Sequence, residues 1–230
     1  MPALSICICG ESGTGKSTSL RNLNPEETFI VSIAGKPLPF KGWRKQYVPI
    51  KINGQNITGN YYTGSKWTQV VKIMDIVNKK MPHIKVLIID DLQYVMAFEF
   101  VDRALEKGYD KYNELAQHIV TIFRKPNEMR DDLTVVFLTH STNEGTEMDP
   151  KYTLKTLGKL TIEKETPEGL ITCMLFTKVN FEDDTPQYKF ITNNNGECIA
   201  KSPMGMFDSL EIDNDLNEVI KAVRKYEYGD

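Results

Sequence analysis

Short, almost wholly apolar runs recur along the chain and set its frame. Residues 4–9 lead straight into Gly10, residues 28–33 are rich in β-branched side chains, residues 85–90 finish on an acid, and residues 133–139 stop before His140. Runs this short and this continuous predict strands buried on both faces. Between them the spacing changes to that of helices. Residues 16–23 predict a helix closed by Asn24-Pro25. In residues 65–80, Trp67, Val70, Val71, Met74 and Val77 share one face, with Ser65 as the expected N-cap and Pro82 as the stop. Residues 93–107 and 110–124 predict two more helices split at Gly108. Strands alternating with helices predict an α/β fold, a mostly parallel sheet with helices on its faces.

Two stretches depart from this rhythm. Residues 34–64 are broken repeatedly by glycine and proline and predict a loop, with a strand over residues 47–52 inside it. After Ser141 the helical spacing is lost. Residues 142–157 have little periodicity and predict a mobile loop. Residues 160–164, 170–179, 188–192 and 197–201 follow as strands, separated at residues 167–169, 184–186 and 193–196, the last two reading as a hairpin across residues 193–196. Asp213 or Asn214 is the expected cap of a final helix that places Leu216, Val219, Ile220 and Val223 on one face. The expectation is one domain over residues 1–230 whose last third is strand-dominated.

Composition changes this picture little. Of 230 residues, 40% are hydrophobic and 26% charged, as in ordinary soluble domains. No apolar run approaches the roughly 20 residues of a membrane span. The N-terminus has no basic segment before its apolar run, so no signal peptide and no membrane partner are expected, and the cytoplasm is the expected compartment. Cys7, Cys9, Cys173 and Cys198 form no C-x-x-C pair and read as reduced core residues. The net charge of −3 is unremarkable, but its distribution is not. Between residues 28 and 74 there is no acid, and Phe40, Trp43 and Tyr47 interleave there with Lys41, Arg44 and Lys45, close after Lys36. Cations follow phosphates and aromatic faces stack on unpaired bases, which makes Lys36, Lys41, Trp43, Arg44 and Lys45 candidates for nucleic-acid contact. The same cations could instead meet a terminal phosphate or the acids of a neighbouring subunit.

The chemistry starts where the first strand ends. Gly10-Glu11-Ser12-Gly13-Thr14-Gly15-Lys16-Ser17 satisfies G-x-x-x-x-G-K-[ST]. Glycines let the backbone wrap a polyphosphate with its N–H groups pointing inward, Lys16 brings a compact cation to the outer phosphates, and the Ser17 hydroxyl is placed for Mg²⁺. Thr18 completes the expected ATP-binding set. Asp90, at the tip of its apolar run, is the expected acid on the metal side, and Asp91 the expected general base for the attacking water. His140, at the tip of the fourth run, is placed to sense the terminal phosphate.

These motifs resemble the RecA-like branch of P-loop ATPases, and within it the short phage-encoded ATPases of the Sak-type recombination group. The chain turns to strands where a AAA+ ATPase would carry a helical lid, lacks the N-K-x-D guanine signature of small GTPases, and has no arginine-rich lid of a small kinase. The resemblance implies a Mg²⁺-dependent ATPase acting on single-stranded DNA in recombination or replication, in a host-cell cytoplasm. It implies assembly into a ring or filament of like subunits, with a basic finger reaching from the neighbour, for which Lys155 and Lys159 are the candidates. DNA loops are implied over residues 107–111 and 141–159. One departure stands out. The branch places a catalytic glutamate after the second strand, where this chain has Ser32-Ile33-Ala34-Gly35-Lys36 and no acid. Asp91 or Glu99 must then serve, or hydrolysis is slow. An ATP-dependent assembly switch that touches protein partners alone is the alternative reading.

Overall fold

A computed structural model describes residues 1–108, 110–155 and 167–229. The four apolar runs are strands β1 (Leu4–Gly10), β2 (Thr28–Ser32), β6 (Val86–Asp90) and β7 (Thr134–Asn143). The loop-rich stretch holds a one-turn helix α1 (Trp43–Gln46) and three short strands, β3 (Lys51–Asn53), β4 (Asn56–Thr58) and β5 (Tyr61–Thr63). Helices α2 (Trp67–Lys80), α3 (Gln93–Asp102) and α4 (Asp110–Arg124) follow as the spacing predicts. The last third supplies β8 (Tyr152–Leu154), β9 (Cys173–Glu182), β10 (Thr185–Ile191), β11 (Glu211–Asp213) and α5 (Leu216–Tyr228).

Among the described residues, one sheet runs β11-β10-β9-β1-β7-β6-β2-β5, with β8 attached to β7, and β3 and β4 form a separate pair. From β9 through β5 every neighbour is parallel, and β10, β11 and β8 pair antiparallel. The continuous apolar runs divide by alternation. Cys7, Cys9, Leu87, Ile89, Val135 and Phe137 enter the core under α2, α3 and α4. Ile6, Ile8, Ile88, Val136 and Leu138 enter the opposite core, closed by Leu216, Val219, Ile220 and Val223 of α5. All four cysteines are free and buried. Among the described residues no helix is long and apolar enough to cross a membrane.

Several local expectations are corrected. Residues 16–23 form a 3₁₀ segment, Ser17–Asn22, and not an α-helix. Ser19 Oγ donates back to Lys16 O at 2.6 Å, and its N–H is shared between Gly15 O and Lys16 O, which tightens the turn. The N-cap of α2 is Lys66 and not Ser65, and no side chain bonds there. Asp215 caps α5 in place of Asp213 or Asn214, accepting from Asn217 N at 3.0 Å. The strand expected over residues 47–52 is displaced to β3. Much of the loop expected over residues 142–157 is a hairpin, in which β7 runs on to Asn143 and pairs with β8. Its turn is closed by Asn143 Oδ1, which accepts from Gly145 N and Lys151 N, each at 2.9 Å. The strand expected at residues 160–164 lies outside the described residues. The hairpin expected across residues 193–196 does not form. The chain turns instead between β9 and β10 at Asp183 and Asp184, with φ of 46° and 61°, a left-handed pair that matches hairpin twist. Residues 193–201 are held by Asn side chains and touch the sheet at single bridges, Cys198 to Tyr152 and Lys201 to Met174.

Candidate nucleotide site

Parallel strands present their carboxyl ends at one edge, where open α/β sheets bind ligands. Register brings the right residues there. Gly10 of β1 lies opposite His140 of β7, and Ser32 of β2 opposite Asp90 of β6. The strand carrying Asp90 is not the immediate neighbour of β1, because β7 lies between them. The contact still closes: Ser17 Oγ donates to Asp90 Oδ1 at 3.0 Å and lies 3.1 Å from Oδ2.

The loop itself is cut to the backbone. A Cβ on Gly10 would sit 1.7 Å from Thr177 Oγ1 of β9, so no side chain fits there. Gly15 has φ +95°, and a Cβ would come within 2.9 Å of the Tyr188 ring and 3.2 Å of Asn214. Thr14 Oγ1 donates to Glu11 O at 2.7 Å and bonds Thr177 Oγ1. Lys16 is 6% exposed, and its Nζ donates to Gly10 O at 2.8 Å and Glu11 O at 2.6 Å. Burial holds its pKa below the usual lysine range, with nearby Asp91 and Asp90 working against that shift. Ser12, Gly13, Gly15, Lys16, Ser17 and Thr18 line a cavity of about 230 Å³, together with Asp90, Asp91, His140 and Lys36. That is below the roughly 300–1,000 Å³ of pockets enclosing a whole ligand, and suits the polyphosphate end of a nucleotide.

The two acids are adjacent and both buried, yet their environments differ. Burial drives the Asp90 carboxyl from 3.8 up to about 7, and the charge on Asp91 adds to the rise against the Ser17 hydrogen bond and the two lysines. Burial also works upward on Asp91, but bonds from His140 and Lys36 outweigh it and hold that carboxyl below its usual range. Lys36 Nζ is 2.7 Å from Asp91 Oδ2, and His140 Nε2 is 3.5 Å from Oδ1. Asp91 has φ +62°, the left-handed region, which for a non-glycine residue is a strained backbone of the kind found at working sites. An oxygen-only set of Ser17 Oγ and the Asp90 carboxylate fits Mg²⁺, which prefers few protein oxygens beside phosphate oxygens.

The other sequence candidates lie elsewhere. Glu99 is bonded by His118 at 3.0 Å and Arg103 at 3.2 Å, and lines a separate cavity with Trp67 and Asp102. Lys41, Arg44 and Lys45 are exposed. Trp43 is half-buried, its ring tilted on Tyr61 at 5.6 Å and covered by Arg44 at 5.0 Å. Lys36 stands apart from them, at the acids. Lys155 is exposed beside its own chain's site, its N–H donating to His140 O at 2.8 Å. Lys159, and residue 109 of the loop implied over residues 107–111, lie outside the described residues. The sequence reading did not place Thr177, Tyr188 or Asn214 against the loop. Thr177 and Tyr188 lie on β9 and β10 and Asn214 just after β11, all from the far end of the chain, and no motif marks them.

A family model described as an AAA domain matches residues 3–204. Among solved structures, the chain is similar to a KaiC-like protein from the hyperthermophilic archaeon Pyrococcus horikoshii OT3, at 14% identity and a TM-score of 0.45, over 84% of this chain and 79% of that one. No curated protein matches it.

Lys16→Ala should abolish binding of a fluorescent ATP analogue while the far-ultraviolet circular dichroism stays native. Tight binding by the folded variant would contradict the site assignment. Asp90 makes a separate prediction about pH. Its folded pKa lies above its unfolded one, so the folded chain keeps a proton that the unfolded chain has lost, and stability falls as pH rises from 3.8 to about 7. Asp90→Asn cannot ionise, so urea melts in EDTA should show the variant gaining on the wild type across that window and holding its lead above it. Parallel stability curves would refute the shift.

Proposed function

The chain belongs to the AAA domain family and is a P-loop ATPase, and we propose that it hydrolyses Mg²⁺-bound ATP as an oligomer acting on single-stranded DNA. The observation that carries the chemistry is the Ser17–Asp90 hydrogen bond, which joins the phosphate loop to the acid of a strand two places away in the sheet. Ser17 and Asp90 would hold the Mg²⁺, which neutralises charge on the phosphates. Lys16 leaves the loop carbonyls for the outer phosphates. Asp91, the acid kept ionised, accepts the proton of the attacking water, whose oxygen bonds the terminal phosphorus as the bond to the ADP oxygen breaks. His140 orients Asp91.

The DNA half of the proposal rests on the exposed Lys41, Arg44 and Lys45 in the acid-free stretch. The rings beside them are already engaged, Trp43 on Tyr61 and Phe40 against Tyr47 at 6.4 Å. Contact is therefore expected to be mainly to phosphate and strongly salt-dependent. The engaged rings also favour a second reading, an assembly switch whose cations meet acidic protein partners.

Asp91→Asn should lower steady-state phosphate release by about 10²–10⁴-fold, the usual worth of a general base, while Mg-ADP still binds. Unchanged release would remove Asp91 from the chemistry. In anisotropy titrations of a labelled oligonucleotide with ATP, replacing Lys41, Arg44 and Lys45 by Gln should flatten the log–log salt dependence by roughly 2. Wild-type protein at micromolar concentration that shows no ATP-sensitive binding, and hydrolysis indifferent to DNA, would leave the assembly switch as the better reading.

A further inference from the structure

Position 36 follows the second strand, at the sheet edge where an acid is expected and a cation stands. Gly35, with φ +66°, turns the chain off β2 so closely that a Cβ would lie 2.9 Å from Thr63. That turn aims Lys36 across the edge onto Asp91 of the neighbouring strand. The lysine therefore shares one cavity with Lys16, Ser17 and Asp90 and with Ser12 and Gly13 of the phosphate loop. Its side chain is 57% exposed, pairs with Asp91 and lies 5.8 Å over the Tyr94 ring, so rotation of the stem can free the ammonium group without disturbing the core.

Both lysines of the cavity are held by groups that a phosphate outbids. Lys16 is bonded to two neutral carbonyls. Lys36 is bonded to a carboxylate bearing one charge, whereas a terminal phosphate carries close to two charges and three strong acceptor oxygens. The Asp91 carboxylate, in turn, has Lys36 on one oxygen and His140 on the other. Freed of Lys36, it regains an oxygen with which to accept the proton of water.

Resting on the ATPase reading above, we propose that Lys36 is a catalytic cation supplied from the subunit's own chain, which transfers from Asp91 to the terminal phosphate of ATP and stabilises the charge that develops there. One movement thus delivers the cation and uncovers the base. In the step it assists, water oxygen bonds the terminal phosphorus, the bond from that phosphorus to the bridging oxygen breaks, its electrons leave with ADP, and the water proton passes to Asp91. Hydrolysis then needs no basic finger from a neighbour, whatever the assembly does for DNA.

The test compares wild type with Lys36→Ala and Lys36→Arg by calorimetric titration of Mg-ADP, with and without beryllium fluoride as the mimic of the terminal phosphate, beside steady-state hydrolysis. Wild-type protein that binds no Mg-ADP would sink the ATPase reading itself. Given that binding, Lys36→Ala should bind Mg-ADP within about twofold of wild type, lose most of the tightening that beryllium fluoride brings, and fall on the order of 10²–10³-fold in kcat with little change in KM, with Lys36→Arg recovering part of both losses. Equal loss of affinity with and without beryllium fluoride would make Lys36 a general electrostatic contributor. A kcat that rises or stays level would make it a mere brake on Asp91, or a bystander. Any of these three results overturns the proposal.

Discussion

Two carboxylates that follow one another off a buried strand cannot both be ionised without help, and the site is built around that constraint. Asp90 and Asp91 are 4% and 3% exposed. Burial raises the cost of each charge, and proximity makes the two costs add. The fold separates them by supplying unequal partners. Asp90 has a neutral hydroxyl from Ser17, and Asp91 has a lysine and a histidine from the strands on either side. One acid is left with a hydroxyl, and the other is held in its charged form by two basic side chains; under the proposed mechanism the first would hold the metal and the second would take the proton of water. Asp91 carries its carboxylate on a left-handed backbone, and both acids line the same cavity.

The rest of the architecture serves this edge. Strand β7 separates the loop strand from the acid strand and contributes His140 between them. The late strands brace the phosphate loop from its other side, through Thr177 against Gly10 and Thr14, and through Tyr188 and Asn214 against Gly15. Arg21, just past the loop, donates to Asn214 O at 2.6 Å and ties the same region to the start of α5. The strand-dominated last third is thus a support for the loop.

Much of this was legible in the sequence, for a physical reason. Strands buried on both faces have to be apolar throughout, so β1, β2, β6 and β7 announce themselves, and the loop motif is specific because each residue type has one job. The pairing of Lys36 with Asp91 was not legible. It depends on β2 lying beside β6, a fact of strand order that no local pattern carries, so the lysine was grouped with Lys41, Arg44 and Lys45 by proximity along the chain. The break between β9 and β10 was legible at residues 184–186, but not as a hairpin turn, because Asp183 and Asp184 adopt left-handed angles without the glycine that usually signals them. The Asn-Gly stretch that did carry the signal spends its amides on local turns. The segment after Lys16 reads as an α-helix by spacing, but its serine competes for the backbone carbonyls and tightens it.

The most direct test of the account is a crystal structure of the protein with Mg²⁺, ADP and beryllium fluoride. The account predicts the metal held on the Ser17 and Asp90 side of the cavity, with Lys16 turned from the loop carbonyls onto the phosphates. A nucleotide bound elsewhere, or a metal that engages neither Ser17 nor Asp90 even through its water shell, would contradict it.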